Sequence, residues 1–463
     1  MEYFIIDRPL EIHLPESAND PVITDILGNY TYGLKHKPVY DSENFEITLG
    51  EPEKAALTGE FVLNITKHGV YTAGRDYSAM MRGFVTFFEK IFCYDKLLYK
   101  AACGLTNGEP AIGFRAVHIC VFPETTFEFL EKIVYLAAIS RYTHIVIEFW
   151  GMIALESFPE MAWPQAYTKE QIRALCRRAN SLGLEVIPML QHLGHAAMAR
   201  QGASGKHVVL DKAPWLEYLY KPGFYGWVWD YEKPCVRELL KNIRDELIEI
   251  SGEGKYFLLG CDEADDLGQG EDSAKVAHDL CEYLNEVSDD LKSKGRRAVI
   301  WADMLLCRED VKSENLKPGE RYESNSSKEF AGIMIENLSR DIIIADWQYL
   351  VRSENWESSE KFARNGFDVI CCPFSDRANI AAAINTVKAG SLYGFMKTTW
   401  HTLNRETPIL ALAGDQAYSG NPTLDYAVYS KTVSRVCATL RHVTFTRDYR
   451  NAGWSDRQIG PGL

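Results

Sequence analysis

The sequence predicts an eight-stranded parallel (β/α)8 barrel, or TIM barrel, preceded by a small α/β domain. Eight short and nearly continuous apolar runs follow residue 110, as expected for strands that are buried on both faces. Most of the intervening segments repeat apolar residues at helical spacing, and eight strand–helix units in series close into a barrel. An open doubly wound sheet is the alternative, but no G-x-G-x-x-G follows any of the runs. The predicted strands are Arg115–Phe122, Thr143–Trp150, Glu185–Gln191, Tyr256–Glu263, Ala298–Asp303, Asp341–Gln348, Asp368–Phe374 and Ser391–Trp400.

Three helix signals support this alternation. Thr168 and Gln171 have the spacing of a capping box, and Gly183 stops the apolar pattern that follows them. Pro234 occupies a position typical of the first turn of a helix. An apolar stripe of one face then runs from Val236 to Leu247.

The first part of the chain has a different pattern. Phe61–Thr66 and Val70–Ala73 are β-rich and are separated by a turn signal, and a helix is predicted at about Tyr77–Phe92. Gly104–Pro110 is polar and rich in glycine and proline, which favours a domain boundary. We therefore predict a small domain at residues 1–108 and a barrel domain at residues 109–463.

Composition restricts the classes of function. The 463 residues are 46% apolar and have a net charge of −14, which argues against nucleic acid or an anionic membrane as a partner. No run approaches the ~18 apolar residues of a membrane span, and the N-terminus lacks a signal-peptide pattern, so we expect a cytoplasmic protein. Cysteines such as Cys120 and Cys261 lie in apolar runs without metal-ligand spacing. We predict neither a metal nor a cofactor.

Polar and aromatic residues collect where the predicted strands end, which is where TIM barrels carry their active sites. Asp262 and Glu263 end the fourth run, and a turn there would bring both carboxylates to one site. One could then stay ionised while the other keeps a proton for general acid catalysis. A solvated pair of loop acids is the alternative reading. The residues at the strand ends are Glu148, Gln191, His195, Asp262, Glu263, Trp301, Asp303, Asp346, Trp347 and Trp400.

Three tryptophans at these ends favour a lined pocket. Sugars present apolar C–H faces that pack on aromatic rings, so Trp301, Trp347 and Trp400 predict a carbohydrate site. Ordinary packing is the alternative for each tryptophan. By the same reasoning His195 could be a core histidine and Arg115 a structural ion-pair partner.

Two segments resemble motifs of glycoside hydrolase family 20. Leu258–Gly268 (LLGCDEADDLG) is similar to the family's strand-four motif, and Glu185–His195 (EVIPMLQHLGH) to its strand-three motif ending in Gly-His. The second segment contains Gln191, and it is most similar to the branch that includes hexosaminidase D, whose members carry a Gln in the same stretch. Residues 60–90 resemble the small domain that commonly precedes the barrel.

This resemblance implies a retaining exo-β-N-acetylhexosaminidase whose nucleophile is the acetamido oxygen of the substrate. Asp262 would orient the acetamido group, and Glu263 would protonate the leaving oxygen and then activate water. Arg115 would bind sugar hydroxyls, and His195 would order the site. Residues assigned to substrate binding on the resemblance or on their strand-end position are Arg115, Glu148, His195, Trp301, Trp347, Asp376 and Trp400.

The sequence also departs from the family pattern. Cys120 stands near a position where relatives carry Asp, Trp150 stands near an acidic position, and Pro373–Asp376 replaces the usual Tyr-x-Asp motif. The contact to the acetamido oxygen is therefore unassigned, and GlcNAc, GalNAc or a modified sugar remains open. A homodimer is also left open.

Two other functions are alternatives. A metal-dependent hydrolase would use His118, Glu148, His195 and Asp262 as ligands, although no H-x-H or H-E-x-x-H spacing supports it. A sugar-binding protein on an inactive barrel is the second, and the presence of both acids argues against it.

Overall fold

The computed structural model describes residues 2–8, 10–13, 39–40, 47–50, 59–93, 99–197, 209–265, 267–268, 272–307, 309, 311, 316–401 and 403–442. The final part of the predicted barrel domain, residues 443–463, lies outside the described residues. None of the helices in the described ranges combines the length and the apolar character needed to cross a bilayer.

The described residues of the N-terminal region form a mixed sheet, a small antiparallel sheet and the helix α1 (Tyr77–Lys90). The strands are β1 (Tyr3–Ile6), β2 (Glu11–His13), β3 (Val39–Tyr40), β4 (Ile47–Gly50), β5 (Phe61–Ile65), β6 (Val70–Gly74), β7 (Ile91–Cys93), β8 (Tyr99–Ala102) and β9 (Gly104–Gly108). The mixed sheet has the strand order β3-β2-β4-β6-β5-β9, and the antiparallel sheet has the order β1-β8-β7. The strands and helix predicted between residues 61 and 92 are confirmed.

All eight predicted barrel strands are present. They are β10 (Phe114–Cys120), β11 (His144–Glu148), β12 (Glu185–Pro188), β13 (Tyr256–Leu258), β14 (Arg297–Trp301), β15 (Ile343–Trp347), β16 (Val369–Cys372) and β17 (Gly394–Thr398). They form one parallel sheet in the order β12-β11-β10-β17-β16-β15-β14-β13. The two ends of this sheet meet where the Leu190 amide donates to the Leu258 carbonyl at 3.1 Å and the His192 amide donates to the Leu259 carbonyl at 2.9 Å. These bonds close the (β/α)8 barrel, so the predicted fold class is confirmed.

Helices follow every barrel strand and cover the outside of the sheet. They are α2 (Phe127–Ile139), α3 (Lys169–Ser181), the short α4 (Val209–Lys212), α5 (Pro234–Ser251), α6 (Ser273–Ser293), α7 (Lys328–Asn337), α8 (Glu357–Arg364), α9 (Arg377–Gly390), α10 (Leu403–Ser419) and α11 (Tyr426–His442). The capping box of Thr168 and Gln171 forms at the start of α3, and Pro234 opens α5, as predicted.

Side-chain alternation divides each barrel strand between two apolar cores. In β10, Ala116 packs with residues of the barrel interior, whereas Val117 and Ile119 pack against the surrounding helices. Burial of each large apolar side chain contributes about 1.5–3 kcal/mol relative to exposure. Because this alternation continues to the strand ends, only every second residue there can face the mouth of the barrel.

Candidate active site

The connection after β13 has an unusual backbone that places two consecutive acids in one site. Gly260, Cys261 and Glu263 have φ values of 67°, 74° and 49°. Left-handed conformations at non-glycine residues are costly and concentrate at functional sites. The turn brings carboxylate oxygens of both Asp262 and Glu263 to within 3.2 Å of Nε2 of His195. The two acids therefore share one histidine.

Two glycines allow the chain segments after β12 and β13 to approach each other closely. A Cβ at Gly194 would lie 1.9 Å from the backbone oxygen of Asp262, and one at Gly260 would lie 1.8 Å from Oε1 of Gln191. The same Gln191 oxygen accepts a hydrogen bond from the Cys261 amide at 3.3 Å. The Gly-His motif and the glycine before Cys261 are thus steric requirements of the acid turn.

Asp303, which follows β14, holds this turn from the other side. Its Oδ2 accepts from the Glu263 amide at 2.9 Å and from Nδ2 of Asn325 at 2.8 Å, and its Oδ1 accepts from Nε1 of Trp347 at 2.9 Å. Burial, and after it the charge of Asp262, raise the pKa of Asp303 to about 7. One buried carboxyl therefore connects the acid turn to an aromatic wall and titrates near neutral pH.

The environments of the two acids differ. Asp262 is buried, whereas the side chain of Glu263 is 40% exposed. The His195 ring packs on Trp227 with 4.4 Å between ring centroids, and the Trp227 indole donates to the Glu263 carbonyl at 2.5 Å. Sequence reasoning missed Trp227 because it lies in the long connection between β12 and α5, where no strand pattern marks it.

The aromatic residues predicted from the sequence are brought together with a tyrosine that was missed. Trp347 packs on Tyr349 with 4.9 Å between the ring centroids. The Tyr349 hydroxyl accepts a hydrogen bond from Nε1 of Trp400 at 2.9 Å. Trp301 lies 6.0 Å from Trp400 but is completely buried in the barrel interior. Tyr349 follows Trp347 by two residues, and this period-two spacing is the signal that could have identified it.

Tyr349 is protonated in this setting. Burial raises the pKa of its hydroxyl well above the ordinary value, and the negative charge of Asp262 acts in the same direction. The phenol therefore keeps its O–H group; its oxygen accepts from Trp400, and the hydroxyl also hydrogen-bonds with the side chain of Thr398.

The predicted role of Arg115 is wrong. Arg115 lies at the beginning of β10 and donates to the carbonyls of Ile112, Gly113 and Arg141 at 2.5, 3.2 and 2.8 Å. Its position alternates with the inward-facing Ala116, so the completely buried guanidinium points to the helix layer at the amino end of the barrel. Arg115 thus has a structural role, but through backbone carbonyls rather than through the ion pair that was the alternative prediction.

Asp376 is also not part of the acid site. Its Oδ1 accepts from the amides of Ala378 and Asn379 at 2.7 and 3.1 Å and caps α9, while its Oδ2 accepts from Arg352 at 3.1 Å. These contacts occupy the carboxylate, and the prediction that it binds sugar is not supported.

Glu148 is completely buried rather than open to a ligand. Its Oε1 accepts from Nε2 of Gln191 at 3.1 Å, and its Oε2 lies 3.3 Å from Nε2 of His118 and 3.2 Å from the sulfur of Cys120. Through Gln191 it supports the acid turn, so the structure gives it an indirect place in the site.

Comparison with known proteins identifies the barrel. Residues 147–379 match the catalytic domain of glycosyl hydrolase family 20. The chain belongs to glycosyl hydrolase family 20. It is therefore a glycoside hydrolase, and the acid turn lies within the matched residues.

Solved family 20 structures have the same fold. A family 20 exo-β-N-acetylglucosaminidase from Vibrio harveyi, in complex with N-acetylglucosamine, is 14% identical with a TM-score of 0.69, over 96% of this chain and 75% of that chain. A chitobiase from Flavobacterium johnsoniae is 15% identical with a TM-score of 0.71, over 98% and 72% of the two chains. A family 20 β-N-acetylhexosaminidase from Streptomyces coelicolor A3(2) is 15% identical with a TM-score of 0.65, over 95% and 93%. No curated protein matches the sequence.

Proposed function

We propose that this family 20 hydrolase is a retaining exo-β-N-acetylhexosaminidase that releases terminal β-linked GlcNAc or GalNAc with assistance from the substrate's acetamido group. The observation that carries the proposal is the pair Asp262 and Glu263, each 3.2 Å from the same His195 nitrogen but in different environments. The Vibrio harveyi relative contains N-acetylglucosamine, which supports this class of sugar.

Asp262 is suited to the acetamido group. The mechanism needs an ionised carboxylate that accepts the acetamido N–H and stabilises positive charge in the oxazolinium-like intermediate. Asp262 is shielded from solvent and fixed by the turn, so its interaction with that charge is stronger than it would be in water. Holding the acetamido oxygen near the anomeric carbon makes the attack intramolecular, which can contribute about 7–11 kcal/mol.

Glu263 is suited to proton transfer. The C1–O bond to the leaving group breaks as the acetamido oxygen attacks C1, and Glu263 donates its proton to the leaving oxygen. It then takes a proton from the water that attacks C1 and reopens the intermediate. Its 40% exposed side chain can reach both the leaving group and water, which the buried Asp262 cannot.

Tyr349 fills the role that the sequence left unassigned. Its protonated hydroxyl accepts from Trp400 and also contacts the side chain of Thr398, and in the proposed mechanism it donates its proton to the acetamido oxygen of bound substrate. Trp347 packs against the same tyrosine and is fixed by Asp303, so the polar and aromatic parts of the proposed sugar site are held by one network. We also propose that the chain belongs to the hexosaminidase D-like branch, because its strand-three segment carries Gln191.

Turnover of aryl β-GlcNAc and β-GalNAc, with and without a thiazoline that mimics the intermediate, tests the proposal. We expect the protein to hydrolyse both aryl glycosides and the thiazoline to inhibit this hydrolysis competitively. Glu263→Gln should lower kcat by about 10²–10⁴-fold with retained sugar binding, because it removes the general acid. The matched control is Asp265→Asn, an exposed acid two residues further along the chain. Rates that do not change with the thiazoline present would exclude participation of the acetamido group.

A further inference from the structure

We propose that His118, Cys120 and Glu148 form a zinc-binding site inside the barrel, at the carboxyl ends of β10 and β11. Their candidate ligand atoms all lie within 4.8 Å of one another, and all three residues are completely buried. This site differs from the four-ligand set considered in the sequence analysis. The described contacts pair His195 with Asp262 and His118 with Glu148.

The distances between the ligand atoms fit three of the four positions around one tetrahedral ion. With Zn–S of about 2.3 Å, Zn–N of about 2.05 Å and Zn–O of about 2.1 Å, a tetrahedral ion separates N from O by about 3.4 Å and S from either by about 3.6 Å. The observed separations are 3.3 Å between His118 Nε2 and Glu148 Oε2, 3.2 Å between Cys120 Sγ and the same oxygen, and 3.8 Å between Cys120 Sγ and His118 Nε2. Small side-chain adjustments would complete the geometry.

Charge and ligand chemistry point to the same ion. Zinc bound by a thiolate, a carboxylate and a neutral imidazole has no net charge, which suits a buried site. Among the described residues, His118 is the ion-pair partner of Glu148 within 4.0 Å, and no Lys or Arg contacts this carboxylate. Thiolate and imidazole favour zinc over magnesium or calcium, which prefer oxygen ligands alone.

The surroundings suggest a positioning role. Cys120 and Glu148 are paired across neighbouring strands. The second carboxylate oxygen of Glu148, Oε1, accepts a hydrogen bond from Gln191, which is the kind of outer partner that a zinc-bound carboxylate typically has. The His118 ring packs on Trp400 at 4.7 Å. A zinc ion here would fix the carboxyl ends of β10 and β11 beneath Trp400, which donates a hydrogen bond to Tyr349. It would not take part in the proton transfers.

Metal content measured on the full chain tests the site without any substrate, so its outcome is independent of the proposed hydrolase activity. Protein stripped with a chelator and then given Zn²⁺ should retain about one equivalent after gel filtration. Co²⁺ in its place should give a thiolate-to-metal charge-transfer band. Cys120→Ala and Glu148→Gln should each weaken binding more than about a hundredfold, beyond the effect of losing an outer partner.

The matched control is Cys281→Ala, which removes a buried thiol that contacts Met334 between α6 and α7 and should retain the metal. Circular dichroism establishes that each variant folds. If Cys120→Ala does not fold, the Co²⁺ spectrum of the unmodified chain decides, because the charge-transfer band requires a cysteine ligand. No retained zinc in the unmodified chain, a Co²⁺ spectrum without that band, or full retention in folded Cys120→Ala would each overturn the proposal.

Discussion

Replacing Asp303 by Asn should change how the stability of the protein depends on pH. Burial, and then the charge of Asp262, raise the pKa of this carboxyl to about 7 from its ordinary 3.8. Between these two values the folded chain keeps the proton that the unfolded chain has released. The free energy of unfolding therefore falls as pH rises across this window.

The size of the effect follows from the two pKa values. From about pH 5 to pH 8, Asp303 should lower the free energy of unfolding by about 2–3 kcal/mol. Asn cannot ionise, so this contribution is absent from the Asp303→Asn variant. Asn also cannot accept from both Glu263 and Trp347, and this lost hydrogen bond costs about 1–3 kcal/mol at both pH values. The difference between the two pH values cancels that constant cost.

Urea unfolding of both proteins at pH 5 and pH 8 measures this difference. We expect the free energy of unfolding of the unmodified chain to fall by about 2–3 kcal/mol more than that of Asp303→Asn over this interval. The other titrating groups are present in both proteins and cancel to the extent that they are independent of position 303. An equal loss in both proteins would show that the buried carboxyl does not titrate in this range, and the electrostatic reasoning about the acid turn would fail.

Three further changes have specific expected results. Gly194→Ala places a Cβ 1.9 Å from the Asp262 carbonyl, so the displaced acid should lower kcat by about 100-fold. Trp400→Phe keeps an aromatic ring but removes the N–H that Tyr349 accepts, and kcat/KM should fall about tenfold. Burial lowers the pKa of His192 to about 3, so its stabilising contribution is present above pH 6.5 and is lost as pH falls towards 3. Thermal unfolding of His192→Gln should therefore depend less on pH between about pH 4 and pH 7 than that of the unmodified chain.

Each of these results has a control or a contrary outcome. Gly332→Ala is the control for Gly194→Ala, because a Cβ there meets nothing within 4 Å. Full turnover by Gly194→Ala would show that the close approach of the two strands is unnecessary. An unchanged kcat/KM in Trp400→Phe would show that the indole N–H has no role in the proposed site. A His192→Gln variant with the same acid sensitivity would mean that this histidine is not held neutral.

The fold could be predicted because its signal is local and repeated. Strands buried on both faces require short apolar runs such as Thr143–Trp150, and each run is punctuated by helix signals such as the capping box at Thr168. Asp262 and Glu263 could be found for a related reason, since acids at the end of an apolar strand have no place in the core. Their side chains needed no long-range information to be selected as candidates.

Errors arose where a residue's role depends on direction or partners. Arg115 was placed in the site by motif position, but the strand's alternation turns it to the outer layer, where it donates to Ile112, Gly113 and Arg141. Asp376 was placed there by its position after a strand, but two amides of α9 occupy it.

The sequence by itself determined the barrel, its strand order along the chain and the pair of acids at the end of strand four, because periodicity and strand-end position are properties of neighbouring residues. The tertiary structure alone decided that both acids meet His195, that Asp303 holds them, and that Cys120 lies beside Glu148. These contacts join residues from different strands. Their geometry depends on how the closed barrel staggers its strands and on the left-handed backbone at Cys261 and Glu263, which no local pattern specifies.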